Sequence, residues 1–64
     1  MTDFAAKLRT ARIAAGLSQT EAARRAGLRQ SLWSDYERGR KSPSINQSER
    51  LAQAVGKHLR DLID

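Results

Sequence analysis

The sequence predicts an all-α fold, a compact five-helix bundle in a single domain covering residues 1–64. Three observations carry that prediction. Apolar residues recur at spacings of three and four, the period of a helix face, and no segment alternates with the period of two that marks a strand. Glycine closes each apolar stretch, at Gly16, Gly27, Gly39 and Gly56, where a helix end favours a residue free to adopt positive φ. Ser18 with Glu21, and Ser44 with Gln47, have the Ser-x-x-Glu/Gln form of a capping box, in which each side chain satisfies a backbone amide of the first turn.

The elements follow in order. A first helix is expected over residues 2–15, with Phe4, Leu8, Ala11 and Ala15 on its inner side. The second starts at its capping box and runs over residues 18–26, only two turns. The third covers residues 30–38 and carries Trp33, Tyr36 and Leu32 as its large side chains. Pro43 interrupts the chain before a fourth helix, whose inner face is Leu51, Ala52 and Val55. A short fifth helix, 59–63, offers Leu59, Leu62 and Ile63 to close the bundle.

Composition narrows the function classes. A chain of 64 residues buries about 60% of its unfolded surface, enough for one core and too little for a deep catalytic cleft. With no cysteine, one histidine and no clustered pair of carboxylates, it lacks the ligand set of a structural zinc and the groups of nucleophilic catalysis. No enzyme activity, metal or cofactor is therefore expected. Twelve Lys+Arg against seven Asp+Glu give a formal charge of +5, which favours an anionic partner, nucleic acid ahead of an acidic membrane surface. No apolar run approaches the ~20 residues that cross a bilayer, and the opening MTDFAAKLRT lacks the apolar stretch of a secretory signal. A cytoplasmic location is expected. The densest positive charge is the run Arg38-Gly39-Arg40-Lys41-Ser42, which alone reads equally well as a solvated turn.

Two short helices joined by a glycine-containing turn, here 18–26, Gly27-Leu28-Arg29 and 30 onward, have the form of a helix-turn-helix spanning residues 18–38. On the second of these helices residues 30, 31, 34 and 35 share one side, while 32, 33 and 36 point inward or flank. Gln30 can address adenine at two points, and Asp35 can accept from a cytosine amino group. Asp35 also has competing readings as a cap, as a partner of Arg38, or as a discriminator by repulsion. A cationic loop directly after a recognition helix reaches phosphate rather than base edges, which assigns Arg38, Arg40 and Lys41 to the backbone.

The ordered words go further. Gly16-Leu17-Ser18-Gln19, then Ala22-Ala23, Gly27, and the run from Gln30-Ser31-Leu32-Trp33-Ser34-Asp35-Tyr36-Glu37 through Arg38-Gly39-Arg40-Lys41-Ser42-Pro43-Ser44 resemble the Cro/C1-type (XRE-type) helix-turn-helix family of bacterial and phage regulators. The resemblance runs from Phe4 to Ile63 and implies a lambda-repressor-like DNA-binding domain. It places Gln30, Ser31, Ser34 and Asp35 in the major groove. It assigns Gln19 to the phosphate backbone and to buttressing the recognition helix, against the plainer reading of a polar first-turn residue. Arg29, Arg38, Arg40, Lys41 and Ser42 complete the backbone set. Arg29 departs from the family's Ser or Thr, so the third helix loses a capping acceptor and gains a cation beside the DNA.

Arg12 and Glu37 resemble the family's internal ion pair, the competing reading being two unrelated surface charges. Trp33 stands where the family has a smaller aliphatic residue and Ala22 and Ala26 are smaller than usual, so the ring is expected in the core rather than as a base-stacking platform. His58 precedes the fifth helix as a cap or exposed residue rather than a metal ligand or pH switch. The resemblance implies a homodimer through Val55, Lys57, His58, Leu59 and Leu62, although Leu59 and Leu62 also suit simple core closure.

The function expected is a sequence-specific double-stranded DNA-binding transcriptional regulator, a repressor on a palindromic operator, from a bacterium or phage. It is either a minimal regulator or the DNA-binding piece of a larger one. The alternatives are an antitoxin-like protein-interaction module that also binds its own promoter, and an RNA-binding or membrane-surface domain acting by charge.

Overall fold

A computed structural model describes residues 3–63, and side chains from Phe4 to Ile63. Among the described residues the elements are α1 (Asp3–Ala14), α2 (Gln19–Ala26), α3 (Gln30–Glu37), α4 (Ile45–Ala54) and α5 (Leu59–Ile63), with no strand. The all-α, five-helix expectation holds. The expected start of the first helix at residue 2 lies outside the described residues.

Helix ends account for the regular punctuation. At the close of α2, Gly27 adopts φ +76°, its N–H donates to the Arg24 carbonyl at 3.1 Å, and the Leu28 N–H donates to the Ala23 carbonyl at 2.8 Å. This pair of bonds is a Schellman motif, and it requires a left-handed residue at the turn. It also turns Leu28 back against the core. Gly39 closes α3 in the same way, with Gly39 N–H to Tyr36 and Arg40 N–H to Asp35, and so fixes where the basic loop leaves the helix. The starts of α2 and α4 are capped by Ser18 and Ser44, whose hydroxyls accept from the backbone of Glu21 at 3.0 Å and Gln47 at 3.1 Å. The reciprocal half of the first box is replaced: the Glu21 carboxylate pairs with Arg24 and Arg25, one turn on, instead of returning to Ser18.

The core gathers Leu8, Ala22, Ala23, Trp33, Leu51, Ala52 and Leu62, each at most 2% exposed. Helix α2 packs on both α3 and α4, while α1 packs on α3 and α5. The lining of α2 is alanine at 22, 23 and 26, which lets that helix approach closely and leaves room for the Trp33 ring, fully buried in the same cluster. Two inward assignments and one helix boundary need correction. Ala15 is exposed because α1 ends at Ala14 and the chain has begun its turn. Ile63 is 58% exposed, since α5 is short and turns only Leu62 fully inward. Arg38 caps α3 rather than extending it.

Candidate nucleic-acid interface

The outer side of α3 is built from the residues the spacing singled out. Gln30 and Ser31 are exposed, and Ser34 and Asp35 are partly so, whereas Trp33, Tyr36 and Glu37 face inward. Arg29 precedes the helix in extended conformation and supplies no side-chain cap, which leaves its guanidinium exposed at the N-terminal edge of this surface. At the other edge Arg38, Arg40, Lys41 and Ser42 are exposed in the loop that leads to α4. Lys41 Nζ lies 3.7 Å from Asp35 Oδ2, so the acidic residue meets Lys41 and not Arg38. A solvent-facing pair at that distance adds little stability, and the cation is free to exchange Asp35 for a phosphate.

Beneath this surface runs a continuous polar network. The Arg12 Nε donates to Glu37 Oε2 at 2.6 Å and its Nη2 to Oε1 at 3.2 Å, while its Nη1 donates to the Leu17 carbonyl at 2.9 Å. This joins α1, the turn before α2, and the end of α3. The Trp33 indole N–H donates to Glu37 Oε2 at 2.5 Å. Gln19 Nε2 donates to Glu37 Oε1 at 3.0 Å, and Gln19 Oε1 accepts from Gln30 Nε2 at 2.8 Å. The one glutamine of α2 thus spans both ends of α3. Burial pushes the Glu37 carboxyl up, but hydrogen bonds from Arg12, Trp33 and Gln19, with the Arg12 charge, more than offset it and hold the group below the usual glutamate range.

Several of these links are not readable from spacing. The Arg12–Glu37 pairing rested on resemblance alone, and the indole bond was missed although positions 33 and 37 stand one helical turn apart. The Gln19–Glu37 bond joins residues 18 positions apart on different helices, with no local signal. At the segment assigned to dimerisation, Val55 and Leu62 are 5% and 2% exposed and belong to the core, so they are removed from any surface. Lys57 and His58 remain exposed and Leu59 half-buried. His58 does open α5, but through its backbone: its N–H donates to Asp61 Oδ2 at 3.1 Å.

An exposed polar helix face, entered from a glycine turn and flanked by cations, on a second helix braced by the first, defines a helix-turn-helix reader of DNA. The chain belongs to the helix-turn-helix family, whose domain model matches residues 3–63. It is a DNA-binding transcription regulator of the Cro/C1 type. Among solved structures it is similar to the high-resolution crystal structure of the restriction-modification controller protein C.AhdI from Aeromonas hydrophila. The two are 36% identical with a TM-score of 0.90, over 95% of this chain and 92% of that one. Comparison with curated protein sequences gives no match. No helix among the described residues is long and apolar enough to cross a membrane.

Proposed function

We propose that this protein is a cytoplasmic, sequence-specific repressor that binds an inverted-repeat operator as a homodimer. Occupying the operator excludes polymerase. The observation that carries the reading is the outward row Gln30, Ser31, Ser34 and Asp35 set between Arg29 and the cations Arg38, Arg40 and Lys41. Base edges are met by the row and phosphates by its flanks, the division of labour that DNA recognition requires. An eight-residue recognition helix reads about four to six base pairs, too few to single out a site in a genome, which supports a second copy. The exposed Lys57 and His58 with half-buried Leu59 are the part of the proposed contact segment that reaches the surface. Kinship with a restriction-modification controller makes the control of such a gene set the specific setting to examine first.

Selection of bound duplexes from a random pool tests the reading directly. An inverted repeat with half-site centres roughly 10 base pairs apart is the expected product. Gln30→Ala should weaken binding to the selected duplex by about 1–3 kcal/mol and hardly change binding to random DNA. Recovery of no motif, or of a lone half-site bound by one protein, refutes the proposal.

A further inference from the structure

We propose that the groove bounded by the basic loop, the start of α1 and the end of α5 binds a small aromatic carboxylate. It has a volume of about 450 Å³, within the range of small-molecule sites, and its walls are Phe4, Pro43, Ile63 and the ring of Tyr36. Phe4 and Ile63 come from opposite ends of the chain and share this groove because α1 packs on α5. Two hydroxyl groups open onto the same surface. Tyr36 and Ser48 are each 7% exposed, and neither side chain has a hydrogen-bond partner among the described residues. No side-chain oxygen or nitrogen sealed from solvent lacks a partner, so both hydroxyl oxygens keep an opening to solvent, and the groove is the cavity that both residues line. Trp33 and Glu37, also buried on α3, are by contrast both bonded.

A phenylalanine at 36 would fill the same core space, so the Tyr36 hydroxyl adds nothing to packing. Nor does the Ser48 hydroxyl cap its helix, a task that falls to Ser44. What the two can do is hydrogen-bond a guest, and the charge around them selects its head group. Lys41 stands at the rim, and Ser48 lies near the start of α4, where the helix dipole favours negative charge. No acidic side chain among the described residues lines the groove. An ionised carboxylate accepts from both hydroxyls and from Lys41, while a flat ring lies against Phe4 and Tyr36. A small inorganic anion would leave the apolar walls uncovered, and a neutral ring would leave Lys41 with Asp35. One consequence rests on the proposed role of Lys41 at phosphate. Its ammonium cannot serve guest and DNA at once, so an occupied groove weakens the grip on DNA.

The test uses naphthoate as the probe, naphthamide as its neutral counterpart and acetate as the head group without a ring. Titrated into isotope-labelled protein without DNA, naphthoate should move the amide resonances of Gly39, Ser42 and Ser48 saturably, since all three line the groove. Naphthamide should bind about tenfold more weakly, and acetate should leave these resonances in place at the same concentration. Tyr36→Phe and Ser48→Ala should each weaken naphthoate about tenfold. Both should leave the urea midpoint and the DNA affinity of the unliganded protein unchanged, because neither hydroxyl has a partner to lose. On a duplex, saturating naphthoate should lower affinity for all sequences alike and reduce the salt slope by about one unit, and it should do nothing further to Lys41→Ala. No saturable shifts with naphthoate, or undiminished binding in both hydroxyl variants, overturns the site and leaves the operator reading intact. Equal binding of naphthamide overturns the carboxylate assignment, and saturable binding that leaves DNA affinity untouched overturns the coupling. If Lys41→Ala keeps full DNA affinity the phosphate reading fails instead, and the titration without DNA still decides the site.

Discussion

Replacing Arg12 by leucine should be among the most damaging single changes in this domain. The Arg12 and Glu37 side chains are 12% and 2% exposed, so removing the guanidinium strands a carboxylate that water cannot reach easily. Gln19 and Trp33 still donate to it, but neither carries a charge. Breaking a buried pair from one side costs about 3–5 kcal/mol. A domain of 64 residues has a total stability of roughly 3–10 kcal/mol, so the loss consumes half of it near the middle of that range. Arg12→Leu with Glu37→Leu should be less unstable than the two single losses summed, since no charge is left alone, with a coupling of about 2 kcal/mol or more. The residual cost in the double variant comes from the partners left behind, the Trp33 indole above all at about 1–3 kcal/mol, with the Leu17 carbonyl and the Gln19 amide. Urea unfolding followed both by helical circular dichroism and by fluorescence of the single tryptophan, itself buried at this network, measures each corner of the cycle. A loss below about 1 kcal/mol for Arg12→Leu, or additive single effects, would refute the argument that the pair is a coupled buried unit.

Acid should act through the same carboxylate. Because Glu37 is held below the usual glutamate range in the folded state, its contribution to stability is present above the unfolded-state value and lost as pH falls through the folded one. The stability difference between wild type and Glu37→Gln should accordingly be constant near neutrality and shrink as pH falls through the acidic range where carboxylates titrate, and a difference that grew in acid would contradict the sign. Lys41→Ala should weaken binding on all duplexes alike and lower the slope of log affinity against log salt by about one unit; a changed base preference at constant slope would instead make Lys41 a reader. Leu59→Glu, and separately a five-base-pair insertion at the operator centre, should each reduce binding toward the single-site level, with the fold of the variant checked by circular dichroism. Full affinity on the insertion at one protein per duplex would argue for a monomeric reader. Leu51→Ala, at a site with no solvent exposure, should destabilise by about 2–5 kcal/mol in urea unfolding without touching the DNA surface.

Much of this protein is written locally. The period of Leu8 and Ala11, the serines at 18 and 44, and the glycines at 16, 27, 39 and 56 each act within a turn or two of their own backbone, so helix number and turn positions are legible in the chain. The row 30, 31, 34, 35 is legible for the same reason, since helical period alone sorts it from 33 and 36. Tertiary structure decided the rest. Whether Val55 and Leu62 face a partner or the core depends on how α4 and α5 close on α1, which apolar character cannot distinguish. Whether Arg12 and Glu37 are surface charges or a buried pair depends on a contact between residues 25 positions apart. The bonds that Gln19 makes to Glu37 and Gln30 depend in the same way on how α2 packs across α3. Spacing sets the side of a helix a residue occupies; the partner it finds there is set by which other helices the core draws against it.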